Sequence, residues 1–151
     1  MYVLAYSPEQ VASELSEQDL VDLDRNIVLW GTPTTNRHLA QLFDGTAATS
    51  HATRPPLSWE ADNALLTVGP ATFPAASHVP LLIYPSPWAV GRYVVVNSGV
   101  THREEHDRTN ALQNPKLPDW AVVDITMPPT NDFVGNVVAA DFFDESWQLR
   151  A

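Results

Sequence analysis

The stretch Gly91-Arg-Tyr-Val-Val-Val-Asn-Ser-Gly-Val-Thr-His-Arg-Glu-Glu-His-Asp107 opens with the most strand-like run in the chain. It breaks at Ser98-Gly99 and passes into the densest patch of ionisable side chains. β-Branched residues in succession favour extended backbone, because their χ1 freedom is already restricted and they pack well on a pleated surface. Beyond the glycine, Thr101 followed by Glu104 has the spacing of a capping box. A helix is therefore expected from there to about Gln113, ended by Pro115. Strand, glycine turn and charged helix start together point to an α/β domain.

The neighbours of this stretch extend the pattern. His78-Val-Pro-Leu-Leu-Ile-Tyr84 is a second strand, and Pro85-Ser-Pro-Trp-Ala-Val-Gly91 is a short stiff connection. The two strands are expected to form an antiparallel hairpin. Asp119 to Ile125 and Val137 to Ala140 are further strands, and Phe142, Phe143 and Trp147 form an apolar stripe expected on a C-terminal helix. Upstream, Asn26-Ile-Val-Leu-Trp30 is a strand with the exit loop Gly31-Thr-Pro-Thr-Thr-Asn36. The next helix carries Leu39, Leu42 and Phe43 at i, i+3, i+4 and stops at Asp44-Gly45. Ser16 with Asp19 starts a short helix, Ser7-Pro8 starts another, and Val3 to Tyr6 reads as an edge strand. Leu57 to Trp59 and Ala64 to Val68 complete the strands. The expected architecture is a single α/β domain over residues 1–151, with a mixed sheet of about six strands, flanking helices and Rossmann-like layering.

The bulk composition bounds the function. The chain has 151 residues, the length of about one domain. Hydrophobic residues are 44% and charged residues 17%, a balance that argues against global disorder. Eighteen acids against eight Lys plus Arg give a net charge of −10, which repels nucleic acid and anionic membrane surfaces. No cysteine is present, which excludes disulfides, thiolate metal sites and thiol catalysis. No apolar run reaches the about 18 residues of a membrane span. The first residues carry no basic n-region, so they do not read as a signal peptide. Thirteen prolines against six glycines argue for short elements with stiff connections.

Three ordered segments carry a family resemblance: Asn26 to Asn36, His78 to Pro87 with Arg92 to Gly99, and Arg108 to Val122. Together they resemble the C-terminal accessory region of bacterial secreted α/β-hydrolase-type proteins, of the prolyl-oligopeptidase-like and dienelactone-hydrolase-like kinds. The resemblance implies a domain that follows a hydrolase domain and lacks its catalytic serine. It also implies a fragment of a longer chain, secreted or periplasmic, whose partner is the hydrolase domain of the same parent. The relatives would carry a His-Thr-Phe-Arg-Glu-like string where this chain has Val100-Thr-His-Arg-Glu104.

Several residues invite chemistry. His102-Arg-Glu-Glu-His106 fits the inverted zincin pattern, with His102 and His106 as zinc ligands and Glu105 as general base. The bland reading is a capped helix start, with Glu104 and Glu105 complementing the dipole and Glu104 pairing with Arg108. Thr32, Thr34, Thr35 and Asn36 sit where α/β folds bind anions or nucleotides, while the plain alternative is helix capping by Thr32 or Thr35. Ser98 follows a strand and precedes a helix, yet no Gly-x-Ser-x-Gly elbow occurs anywhere. Trp88, flanked by prolines, suits either a contact with a partner or sugar ring, or packing on its own sheet. His38, His51 and His78 read as surface or loop residues, and Asp141, Asp144 and Glu145 as a solvated helix face. The favoured expectation is a non-catalytic accessory domain with no cofactor; zinc belongs to the alternative.

Overall fold

A computed structural model describes residues 15–47, 54–60, 62–99, 117–127 and 135–150. Within them lie α1 (Glu17–Asp22), β1 (Ile27–Trp30), α2 (Arg37–Asp44), β2 (Leu57–Glu60), β3 (Leu65–Val68) and β4 (Ala71–Pro74). There follow β5 (His78–Pro85), β6 (Tyr93–Asn97), β7 (Trp120–Asp124) and β8 (Asn136–Asp141). The strands form a five-stranded sheet in the order β1-β6-β5-β7-β8 and a three-stranded sheet β2-β3-β4.

This corrects the expected Rossmann-like α/β layering. The described residues are mostly β, with two sheets and two short helices. The large sheet is mixed, as expected, but β1 and β6 are its one parallel pair and its other three pairs are antiparallel. The physical reason lies in the connections. Parallel neighbours need a crossover of a dozen or more residues, whereas a short connection returns the chain antiparallel. Pro85 to Gly91 is too short for anything but a hairpin, and β5 and β6 pair from Leu81↔Asn97 to Pro85↔Tyr93. Gly69-Pro70 likewise closes β3 on β4. The strand β4 was hidden in sequence by the prolines around it. It lies at the edge of the small sheet, where a missing N–H costs little.

Pro80 sits inside the central strand β5, a rare place for proline. Its carbonyl accepts from Ser98 N at 3.3 Å, just past the last β5·β6 pair. A residue's N–H and C=O point to the same side of a strand, so the missing donor falls where that ladder ends.

Both helices and the small sheet pack on one face of the large sheet. One cluster joins Leu20 of α1, Leu39, Leu42 and Phe43 of α2, and Leu57, Leu66 and Val68 of the small sheet. Its members from the large sheet are Leu29, Val94, Val96, Leu82, Tyr84 and Val122. The i, i+3, i+4 stripe of α2 is buried as its spacing predicts. Each such side chain contributes about 2 kcal/mol of transfer free energy. Val79, Leu81 and Val123 form a second cluster with Leu117. Gly99 lies against it so closely that a Cβ would come within 2.8 Å of Val79 Cγ2.

The expected C-terminal helix is also corrected. Residues after β8 form a turn closed by an isolated bridge between Phe143 and Leu149. Asp144 Oδ1 accepts from Ser146 N and Gln148 N, at 2.8 and 2.9 Å. The acids read as a helix face thus include one that folds a turn. Phe143 and Trp147 reach Tyr84 edge-on, at 5.5 and 5.8 Å between ring centroids. The expected elements at Val3 to Tyr6, Ser7 onward and Thr101 to Gln113 lie outside the described residues.

Candidate functional site

Two of the sequence candidates, the Gly31 to Asn36 loop and Ser98, lie at the C-terminal ends of the parallel strands β1 and β6, whereas Trp88 lies in the connection before β6. In α/β sheets that edge is where ligands bind, because strand ends and helix starts leave backbone groups unpaired. Gly31 follows β1 at φ +100°, a conformation that favours glycine. Its N–H donates to Asn97 O at 3.2 Å, which ties the loop to the end of β6. Gly31 to Asn36 and Asn97 to Gly99 therefore stand side by side.

The loop then closes on itself. Thr35 N and Asn36 N donate to Thr32 O at 3.0 and 2.9 Å. Thr32 N donates to Thr35 Oγ1 at 2.9 Å, and the hydroxyls of Thr32 and Thr34 lie 2.7 Å apart. Asn36 is 1% exposed and is the N-cap of α2. Its Oδ1 accepts from His38 N and Leu39 N at 3.0 and 3.4 Å, and its Nδ2 donates to Trp30 O at 3.0 Å. Asn36, and neither Thr32 nor Thr35, is the cap of α2, and the threonine hydroxyls bond to one another and to backbone groups within the turn.

His38, expected at the surface, is fully buried. Its Nδ1 lies 3.2 Å from Gln41 Oε1 and its Nε2 3.2 Å from Leu15 O. Burial pushes its pKa below the ordinary 6.5, against the opposing pull of the Gln41 hydrogen bond. Trp88 meets the same ring edge-on at 5.9 Å and is 2% exposed. The indole is thus folded onto its own core and presents no surface to a partner or a sugar. Ser86 Oγ accepts from Trp88 N at 3.2 Å, and Ser86 N donates to Arg92 O at 2.8 Å, which holds the loop in place.

Ser98 Oγ is buried with no hydrogen-bond partner among the described residues. No described histidine is therefore bonded to it; Ser77 Oγ does lie 2.9 Å from His78 Nδ1, a ring nitrogen that is also 3.2 Å from Pro74 O. His102, Glu105 and His106 lie outside the described residues. Among the described residues no three His, Asp or Glu side chains stand together in a way that would hold a metal ion. No described helix is long and apolar enough to cross a membrane.

One feature escaped the sequence reading. Seven large hydrophobic side chains are exposed among the described residues, and five of them lie on or beside the β7·β8 pair. Ile125 and Met127 follow β7, Val137 and Val138 lie in β8, and Phe142 follows it. The signal was present in Asn136-Val-Val-Ala-Ala-Asp141, a strand with a wholly uncharged centre. Asp124, opposite Asn136, is held below its ordinary 3.8, first by the Thr126 hydroxyl and then by the Thr126 backbone N–H.

No family model, no curated protein and no solved structure matches this chain.

Proposed function

We propose that this chain is a non-catalytic accessory and interaction domain that works beside a hydrolase-type domain of a secreted parent protein. The observation that supports it best is the concentration of exposed apolar side chains at the β7·β8 edge. Soluble domains scatter such residues, whereas five of the seven exposed ones among the described residues fall on or beside this one strand pair. The ordered resemblance of Asn26 to Ile125 supplies the hydrolase context. The hydroxyls of Thr32, Thr34 and Thr35 and the amide of Asn36 serve as scaffold in this reading. The purified chain is expected to show no turnover of generic ester or peptide substrates. Turnover that disappears on Ser98→Ala would refute the reading.

A further inference from the structure

We propose that the outer edge of β8 takes up an extended segment of another protein as an added strand, apolar at alternate positions and carrying Lys or Arg at its ends. This rests on the interaction reading above and names the chemistry of the partner.

β8 is an edge strand of the large sheet. It pairs with β7 from Trp120↔Asp141 to Asp124↔Asn136, and no other described strand lies on its far side. All of its residues except Ala139 are exposed. Edge strands are ordinarily guarded by lysine, proline, covering segments or bulges, because their unpaired N–H and C=O groups template another strand. β8 contains neither lysine nor proline. It has one irregularity, where Val122 and Val123 face Ala139 and Val137 and leave Val138 as the extra residue. That bulge is the one such guard in the strand itself; among the described residues nothing pairs with its outer side, and Val137 and Val138 are each 39% exposed. Main-chain ladder bonds would supply affinity, and the exposed side chains would meet alternate residues of the incoming segment.

Charge selects the occupant. Asp141 ends the strand and is exposed, and exposed Asp144 and Glu145 follow it. Asp124 stands at the opposite end, across from Asn136. Arg150 is turned to Phe143 O at 3.2 Å and lies over the Phe142 ring. A second copy would bring the same acids and a net charge of −10 against −10. A segment with basic ends meets these acids with opposite charge, which favours encounter and register.

The test uses the purified full chain and two labelled peptides of about seven residues. Both alternate valine and threonine; one ends in lysines and the other in glutamates. Fluorescence anisotropy is expected to give a Kd about tenfold lower for the lysine peptide, with the gap closing at about 0.5 M salt. Methylating alternate backbone nitrogens of the lysine peptide is expected to abolish binding in one frame and spare it in the other, since only one peptide edge joins the ladder. Asp141→Lys is expected to narrow or reverse the preference, and Val90→Lys, in the β5–β6 connection, to leave it unchanged. Equal binding of both peptides, equal effects of both methylation frames, or self-association that the peptide does not compete would overturn the proposal. If neither peptide binds while turnover is also absent, this proposal falls and the accessory reading stands. Turnover lost on Ser98→Ala would remove the accessory reading instead.

Discussion

Replacing Asn36 tests whether the hydrogen-bonded geometry of the Gly31 loop is scaffold. Its side chain spans two elements: Oδ1 caps the first turn of α2 through His38 N and Leu39 N, and Nδ2 donates to the last carbonyl of β1. Asn36→Ala removes all three contacts at a position 1% exposed. Loss of an N-cap costs about 1 kcal/mol. Leaving the Trp30 carbonyl without its donor adds about 1–3 kcal/mol if water does not replace it. The sum, about 2–4 kcal/mol, is a large part of the about 5–15 kcal/mol that holds a domain together. Asn36→Ser separates the terms, because a serine hydroxyl still caps the helix but does not reach Trp30 O. Urea unfolding should place Ser between wild type and Ala, with the m-value unchanged. A loss below about 0.5 kcal/mol for Asn36→Ala would show that the loop does not depend on this residue and reopen the loop as a ligand site.

Burial of His38 makes stability depend on pH. Its folded pKa lies below the ordinary 6.5, so between these values the unfolded chain binds a proton that the folded chain refuses. The contribution is fully present above pH 6.5 and is lost as pH falls through the folded pKa; His38→Gln should flatten that slope, and equal slopes in urea titrations would count against it. Asp19 and Asp124, both held below 3.8 chiefly by hydroxyl hydrogen bonds, contribute stability above 3.8 that is lost in stronger acid. Trp88→Ala empties a site only 2% exposed and should cost about 3–5 kcal/mol, seen as a large drop in Tm. An unchanged Tm would mean that the indole does not pack in the core.

The hairpin β5·β6 was legible because Pro85 to Gly91 is short and both flanking runs are apolar, the second one rich in valine. The stripe on α2 and the cap at Ser16 were legible because their partners lie within a few residues, whereas the cap of α2 was expected at Thr32 or Thr35 and is Asn36. His38 was misread because it sits in the first turn beside polar neighbours. Its burial comes from Trp88, fifty residues along the chain, and from Leu15 before it. The C-terminal helix was misread because Phe142, Phe143 and Trp147 look periodic. Their spacing is instead served by a turn built on Asp144, with Trp147 at φ +60°, a left-handed conformation that a right-handed helix does not contain.

Strands, caps and hairpin turns were written in the chain, because each depends on the torsional preferences and hydrogen bonds of residues close in sequence. Sheet order, the face on which the helices pack and the exposure of each strand depend on contacts between distant segments, and no local pattern encodes them. Asn136 to Asp141 shows the difference. Its Val-Val-Ala-Ala centre reads as a strand wherever it stands, and only its place at the outer edge of the large sheet leaves that centre exposed.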